Sequence, residues 1–593
     1  MFARRSTTVL APAIRCTDLR AKLGRMKRLL CAASILFLIS GCAGVRSATT
    51  LTPFSTFVDD YFTARFEFSP TSGTDVGLHQ YDNKLDDLSR AALDRRTAEL
   101  RGFLSRLDTV RQQELSFDDA IDAEVIEGQI RADLLDIETL RLYENNPMPY
   151  AGLPGSSIGA LIKRDFAPAP DRLRSVIARL RLIPRIYDAA RTNLNNPPKE
   201  FTDLAVRISR GSAGYFEGLV AKWAEEAAGG DAALLDQFRV ANRQVIDSTR
   251  SFSQWLEGDL LPRSKGSYAI GKANFLLKLK YEEAVEMPLE ELLAVGEGQL
   301  GKDYEAFIAI ARQIDATKSA AEVMDNLSKV HPTAEDLIPS ARRTVEDARS
   351  FVVQQDIVTV PSEVRARVEE TPPYARSGGF ASMDTPGPYE SKATEAFYYV
   401  TPVEQDWDEK HVEEHLRLFN PFVVAMINVH EAYPGHYLQF LYAPRFPTKT
   451  RKLIFSGTNA EGWAHYAEQM MVDEGFGGAD LRYRLAQLQE ALLRDVRYVV
   501  GIKLHTEGWS VEQGAQLFRE KAFQEPANAY EEARRGAYNP TYLYYTLGKI
   551  QIFELRDEFT KRNNASKKAF HDAFVSQGGL PIKFVRQILF RRN

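Results

Sequence analysis

The chain holds nine histidines in 593 residues, few enough to weigh one by one. The pair best placed for chemistry lies in the segment Asn420–Gln439, NPFVVAMINVHEAYPGHYLQ. There His430 is followed by Glu431, and His436 closes the run. Phe422, Val423, Val424, Met426, Ile427 and Val429 make the preceding stretch apolar nearly all round, as in a buried helix. An ionised glutamate in that setting is costly without a counter-charge or a metal. Imidazole and carboxylate donors together suit Zn2+, and a glutamate beside a ligand histidine is the base of the zinc pattern H-E-x-x-H. The chemistry implied is metal-assisted hydrolysis, with His430 and His436 as ligands and Glu431 as general base.

The spacing departs from that pattern. Its two histidines are four apart on one helical face, whereas His436 lies six residues after His430. Six residues of unbroken helix turn through about 600° and leave the two side chains on different faces. Pro434 and Gly435 intervene. The proline lacks an N–H and its ring clashes with the carbonyl four residues back, that of His430. The helix must therefore bulge or break, and Gly435 can take whatever backbone angle the bulge requires. Two residues absorbed there return His436 to the face of His430.

A third ligand is expected in Ser456–Met471, SGTNAEGWAHYAEQMM. Glu461, His465 and Glu468 stand at i, i+4 and i+7, one polar stripe on a helix otherwise carrying Trp463, Ala464, Ala467 and Met470. Glu461 is the ligand chosen, because two-histidine zinc sites take their glutamate from a second helix. His465 is the rival ligand or a donor behind the metal, and Glu468 could orient a ligand histidine through its other nitrogen. The run His411-Val412-Glu413-Glu414-His415 matches the inverted pattern H-x-x-E-H, but its charged flanks read as a wet amphipathic helix.

Positioning these side chains falls mostly to helices. Apolar residues recur at three- and four-residue spacing in Ser89–Val110, Asp118–Tyr143, Pro170–Asn193, Ala232–Leu256, Pro288–Asp315 and Thr333–Phe351. One stretch breaks the pattern. Between Ile357 and Pro402 the chain is rich in Pro and Gly, and Ile357–Val360, Val364–Val368 and Ala396–Val400 read as strands. The expected fold class is mainly α (α+β): a large helical fold with one small sheet, about residues 357–402, beside the active-site helix and a deep cleft. The metal-site helices would occupy about residues 421–471. No repeat or low-complexity linker divides residues 43–593, which read as a single domain.

The amino end reads differently. Met26-Lys27-Arg28 precedes an apolar run, Leu29–Ile39, and then Ser40-Gly41-Cys42. This is the pattern of a secretory signal, too short to span a bilayer. Its ending resembles a bacterial lipobox with Cys42 as the lipidated first mature residue; residues 1–25 are an upstream extension. Ala43 rather than Asp at the next position favours an outer-membrane lipoprotein facing the periplasm. All three cysteines, Cys16, Cys31 and Cys42, fall in this leader, so the folded body has no disulfide scaffold. A formal net charge of −5, without a clustered basic surface, argues against nucleic-acid binding.

With these residues in hand the sequence resembles the domain-of-unknown-function 885 family, bacterial proteins that are often secreted lipoproteins and are placed among the gluzincin-type metallopeptidases. The resemblance rests on His430 to His436 with Leu438-Gln439, on Glu461-Gly462-Trp463-Ala464 with Tyr466 and Glu468, and on Asn539 to Lys549. It implies a mainly helical zincin-like fold over nearly the whole mature chain. His465 stands where relatives are expected to carry an apolar residue, which favours Glu461 as the ligand.

The expected reaction is cleavage of a peptide by a zinc-activated water, with Glu431 passing the proton to the leaving amine. The developing oxyanion needs a donor besides the metal. Tyr545 is the first candidate and Tyr542 the second, with Arg535 for a substrate carboxylate. An edge strand beside the active helix would pair with an extended peptide, and Ala396–Val400 is the candidate. The alternatives are a zinc hydrolase of a non-peptide amide or an ester, and a non-catalytic envelope lipoprotein that binds in the cleft.

Overall fold

Helix starts in this chain are set by their caps. Ser89 accepts a hydrogen bond from the Ala92 N–H (3.4 Å), Ser116 from Asp119 (3.1 Å) and Asp231 from Leu234 (3.0 Å). Each satisfies an N–H that the first turn leaves without a partner. The helices that follow are Arg90–Val110, Phe117–Leu134 and Ala232–Trp255. The computed structural model describes residues 52–372, 376, 381–405 and 407–591; the leader, the lipobox and Cys42 lie outside the described residues.

The expected helices Pro170–Asn193 and Pro288–Asp315 are present within a residue at each end, as Ala169–Asn193 and Leu289–Ile314, whereas the one expected at Thr333–Phe351 is shifted to Leu337–Gln354. The expected helix Asp118–Tyr143 is shorter. After Leu134 it passes through a π-helical turn, Leu135–Thr139, and ends where Arg141 takes a φ of 51°, a conformation that helix continuation does not permit.

Among the described residues two large apolar clusters and a smaller third, around Phe275, Leu279 and Tyr498, organise the body, and Leu51–Asn593 group as one compact unit. One cluster joins Met148–Ile162, Ala169–Asn193, Lys199–Tyr215 and Ala232–Trp255. The larger one runs from Phe54, Phe57 and Phe62 through the carboxy-terminal half and includes Val423, Val424, Met426 and Val429. Burying such side chains contributes about 1.5–3 kcal/mol each. That is how a helix ending in His430 and Glu431 is held in an interior that its charges would otherwise leave.

Among the described residues the sheet has three strands, β1 (Arg367–Glu370), β2 (Ala381–Asp384) and β3 (Phe397–Val400), in the order β1-β3-β2. β1 runs parallel to β3, with Val368 opposite Tyr398, and β2 runs antiparallel, with Met383 opposite Tyr398. Two expectations are corrected here. Ile357–Val360 is not a strand, because its backbone is satisfied by side chains. The Asp572 carboxylate accepts from Thr359 N–H (2.7 Å), His571 Nδ1 meets the Ile357 carbonyl (2.8 Å) and Tyr442 donates to the Thr359 carbonyl (2.7 Å). The Ala396–Val400 segment is a strand but not an edge: β3 is paired on both sides, so it has no free ladder for a peptide. The strand lying against the His430 helix is β2, a short Ala-Ser-Met-Asp run with little strand propensity. The Val364–Val368 strand is displaced to Arg367–Glu370, since the Val364 carbonyl instead accepts from the Tyr437 hydroxyl (2.8 Å).

Candidate metal centre

Asn420 caps the first site helix, Pro421–Glu431, by accepting from the Val423 N–H at 3.1 Å, with Pro421 at the first position. The helix ends at Glu431. The Ala432 and Tyr433 N–H groups both donate to the Asn428 carbonyl (2.9 and 3.2 Å), the Tyr433–Pro434 peptide is cis, and the Gly435 N–H donates to the Val429 carbonyl (3.0 Å). A new helix, His436–Leu441, starts at the second histidine. The Pro434 carbonyl accepts from the Trp463 indole N–H at 2.8 Å, tying the bend to the neighbouring helix Gly457–Asp473. The expected break is therefore present, and Gly435 stands in it with φ −68° and ψ −135°, outside both the helical and the extended regions. Space also excludes a side chain: a Cβ there would lie 1.8 Å from the His430 carbonyl oxygen.

The break brings His430 and His436 together, their rings edge-on with centroids 4.8 Å apart. Glu461 meets both: its Oε2 lies 3.3 Å from each Nε2. Among the described residues His430, His436 and Glu461 form a group whose potential ligand atoms lie within 4.8 Å of one another. His430 is oriented from behind by Glu468, whose Oε1 lies 2.6 Å from Nδ1. A proton on Nδ1 leaves the His430 Nε2 lone pair facing Glu461, beside Nε2 of His436, whose own Nδ1 is buried without a hydrogen-bond partner. Two imidazole nitrogens and a carboxylate oxygen converging in this way can hold a cation. Burial and Arg494 lower the His430 pKa, yet the carboxylates of Glu461 and Glu468 outweigh them and raise it to about 9. The donor set and its distances fit a zinc ion.

His465, the rival ligand, is not brought to the other three. It is fully buried, its Nδ1 faces the other oxygen of Glu468 at 3.1 Å, and burial lowers its pKa to about 3, so it is neutral. Its part is to hold Glu468. Arg494 completes that support, reaching Glu468 Oε1 at 3.0 Å and Glu490 at 2.7 Å. Sequence reading missed Arg494 and Arg497, although Glu490, Arg494 and Arg497 repeat the i, i+4, i+7 stripe inside the apolar helix Leu481–Thr506.

The three candidate ligands line a cavity of about 970 Å3 together with Glu431, which is half-buried, and Ala381–Met383 of β2. Tyr545 lines it as well, its ring centroid 6.4 Å from that of His430. Burial, then the nearby Glu461, raises the pKa of the Tyr545 hydroxyl, so it stays a proton donor. Its helix, Tyr544–Asn563, approaches the Glu461 helix through paired glycines. A Cβ on Gly548 would lie 2.0 Å from the Thr458 carbonyl oxygen and 2.7 Å from the Gly462 Cα. Arg535 also faces the cavity and donates to the Tyr545 hydroxyl at 3.3 Å. Tyr542, the second oxyanion candidate, does not reach it. It lies before the helix start, fully buried, and donates to Glu532 at 2.6 Å. The His411–His415 segment forms the expected amphipathic helix, Glu409–Arg417. His411 stacks on Trp407 and His415 Nε2 meets the Thr401 carbonyl (2.9 Å), so neither histidine joins the metal group.

Comparison with known proteins adds the following. The sequence profile described as "Bacterial protein of unknown function (DUF885)" matches residues 70–589. No curated protein matches the chain. A solved structure titled "a putative lipoprotein of unknown function from Shewanella oneidensis" is similar at a TM-score of 0.74 and 26% identity, covering 91% of this chain and 100% of the other. A second, titled "the putative lipoprotein from Colwellia psychrerythraea", matches at a TM-score of 0.74 and 19% identity, covering 91% and 99%.

Proposed function

Since the chain belongs to the DUF885 family of bacterial proteins of unknown function, we propose that it is a zinc-dependent hydrolase of gluzincin-like arrangement acting on peptides. The observation that carries this reading is the convergence of His430, His436 and Glu461 on the wall of a large cavity, with Glu431 adjoining them in sequence and lining the same space. Zinc bound by these three residues would supply a water of lowered pKa and a Lewis acid for a carbonyl. Glu431 takes the proton of the attacking water and delivers it to the leaving nitrogen. Tyr545, kept protonated, donates to the oxygen that gains charge. Glu468 and Arg494 fix the tautomer of His430 and hold it in place. β2, the outer strand on the cavity side, offers a ladder for an extended peptide.

Lipid anchoring at Cys42 belongs to the same proposal. The leader that ends at Cys42 and the titles of the two solved structures support an envelope lipoprotein, and Ala43 favours the outer membrane facing the periplasm.

The test is elemental analysis of the purified protein beside a peptide-library digest of parent and Glu431→Gln. Stoichiometric zinc in both, with cleavage slowed about 10²–10⁴-fold in the variant, is the expected outcome. Equal cleavage by the two proteins refutes the mechanism. Cleavage confined to non-peptide amides or esters refutes the substrate class.

A further inference from the structure

The cavity lined by His430, His436 and Glu461 has a neighbour. A second cavity, of about 400 Å3, adjoins it, and Ala460 and Glu461 line both. That volume lies within the range of about 300–1,000 Å3 typical of small-molecule sites. Two ring pairs straddle the boundary. Tyr545 lines the first cavity and Tyr544 the second, with centroids 4.8 Å apart; Phe440 lines the first and Phe455 the second, 5.3 Å apart. Phe440 in turn stacks on His436, centroid to centroid 6.2 Å. The second cavity thus starts at the carboxylate that meets both histidines. The smallest side chain on the boundary is the single methyl of Ala460, which is half-buried.

The walls of the second cavity decide what it can hold. Tyr281, Ile454, Phe455, Tyr544 and Phe584 give it an apolar lining. Most polar groups beside them are committed elsewhere. Glu283 accepts from the Gly457 and Thr458 N–H groups (2.8 Å each) and from the Thr458 hydroxyl (2.6 Å). Gln129 donates to Asp133 (3.0 Å), Lys280 to Glu286 (2.7 Å) and Lys278 to Glu282 (2.5 Å), while Glu124 is exposed to water. A charged occupant would leave water for few partners, whereas an apolar one would cover the rings. Phe455 is the clearest sign. Its ring is packed by Phe440 and Phe446 (5.3 and 6.3 Å) and fills the space above Gly579, where a Cβ would fall 2.1 Å from it, yet the residue is 37% exposed. A ring held in place and left partly in water offers ready-made contact area to an apolar group. Each further residue of an extended peptide lies about 3.4 Å farther from the bond being cut. A cavity that starts at Glu461 is therefore reached by a residue flanking that bond. We propose that the second cavity receives an apolar side chain, aromatic by preference, from the substrate residue next to the scissile bond, entering over Ala460. This rests on the hydrolase reading and gives its side-chain specificity.

The experiment uses the full-length zinc-loaded protein and oligoalanine peptides with one variable position, occupied by phenylalanine, leucine, alanine, lysine or glutamate. Parent, Ala460→Leu and Phe455→Ala are compared by kcat/KM, and mass spectrometry of the fragments reads which bond is cut. In the parent the phenylalanine peptide is expected to be cleaved about 100-fold faster than the alanine peptide, beside the phenylalanine, since one methylene in an apolar pocket is worth about 10- to 200-fold. Lysine and glutamate should do no better than alanine. Ala460→Leu brings the phenylalanine peptide down to the level of the alanine peptide and leaves the latter where it was. Phe455→Ala reduces the preference about 10-fold. Equal rates for phenylalanine and alanine in the parent overturn the proposal, and so does a cut distant from the phenylalanine. A preference for lysine overturns it in favour of a cation held by the rings and Glu124. If Ala460→Leu slows both peptides alike, it has disturbed Glu461, and Phe455→Ala decides: an undiminished preference there overturns the proposal. A second arm measures calorimetric binding of the phenylalanine and alanine peptides to Glu431→Gln, with and without Phe455→Ala. Tighter binding of phenylalanine that Phe455→Ala abolishes, with no hydrolysis by the parent, leaves the apolar subsite standing and removes the peptidase. Hydrolysis without preference does the reverse.

Discussion

Replacing Gly435 by alanine tests the bend on which the proposed metal centre depends. An ideal Cβ at Gly435 falls 1.8 Å from the His430 carbonyl oxygen and 2.4 Å from the Val429 carbonyl oxygen, whereas real Cβ contacts essentially never fall below 3.0 Å. Both obstacles are backbone atoms of the helix that carries His430, so no side chain can swing aside. The two segments must separate by more than about 1 Å, and His436, the next residue, moves with the bend. Overpacking of this kind costs about 1–3 kcal/mol and more when backbone is displaced, and we expect the upper end. Metal sites tolerate ligand shifts of only about 0.2 Å, and even a change behind the ligands lowers affinity about 10- to 100-fold; a displaced ligand should lower it by at least the larger figure. The assay is zinc titration of the chelator-treated protein against a competing indicator, beside thermal unfolding of the metal-free form. A Gly435→Ala protein that keeps the parent's zinc affinity refutes the reasoning, whatever its stability.

Glu468→Gln leaves Arg494 and His430 without their shared, fully buried carboxylate. It should destabilise the fold by about 3–5 kcal/mol and weaken zinc binding about 10- to 100-fold, as chemical denaturation and zinc titration would read; unchanged zinc affinity would remove Glu468 from the centre. Asp495 has its pKa raised to about 8, chiefly by burial and against the pull of Lys549, with Asp303 adding to the rise. A carboxyl raised above its unfolded value of about 3.9 contributes stability fully present below that value and lost as pH climbs through 8. Asp495→Asn mimics the neutral acid, so its melting temperature should fall less than the parent's between pH 5 and pH 9 (window read at about these values); parallel profiles would contradict this. Cys42→Ser should move the protein from the membrane fraction to the soluble periplasm, and persistence in the membrane fraction would contradict the anchor.

Local chemistry made part of this protein legible from sequence. Pro434 forbids continuation of the helix whatever surrounds it, so the break between His430 and His436 follows from covalent structure alone. The spacing of Glu461, His465 and Glu468 places them on one face of any helix formed there, and the apolar run before His430 ensures that the helix is buried.

Other features were decided only by packing between distant segments. Glu461 and His465 share that face, and which of them meets His430 depends on how far along its axis one helix lies against the other; Trp463 sets this through the Pro434 carbonyl. Tyr542 and Tyr545 are close in sequence, but the helix begins between them at Tyr544, so helical spacing says nothing of their relative directions. The Arg497–Glu532 pair fixes one hydroxyl in the interior and leaves the other to the cavity. β3 carries the strongest strand signal and is central for that reason, both of its ladders being used. β2, which faces the cavity, forms by pairing with β3 and has no local signal strong enough to read. Helical propensities and caps act over a few residues, whereas a ligand set and a strand order are defined by residues that meet only when the chain is folded.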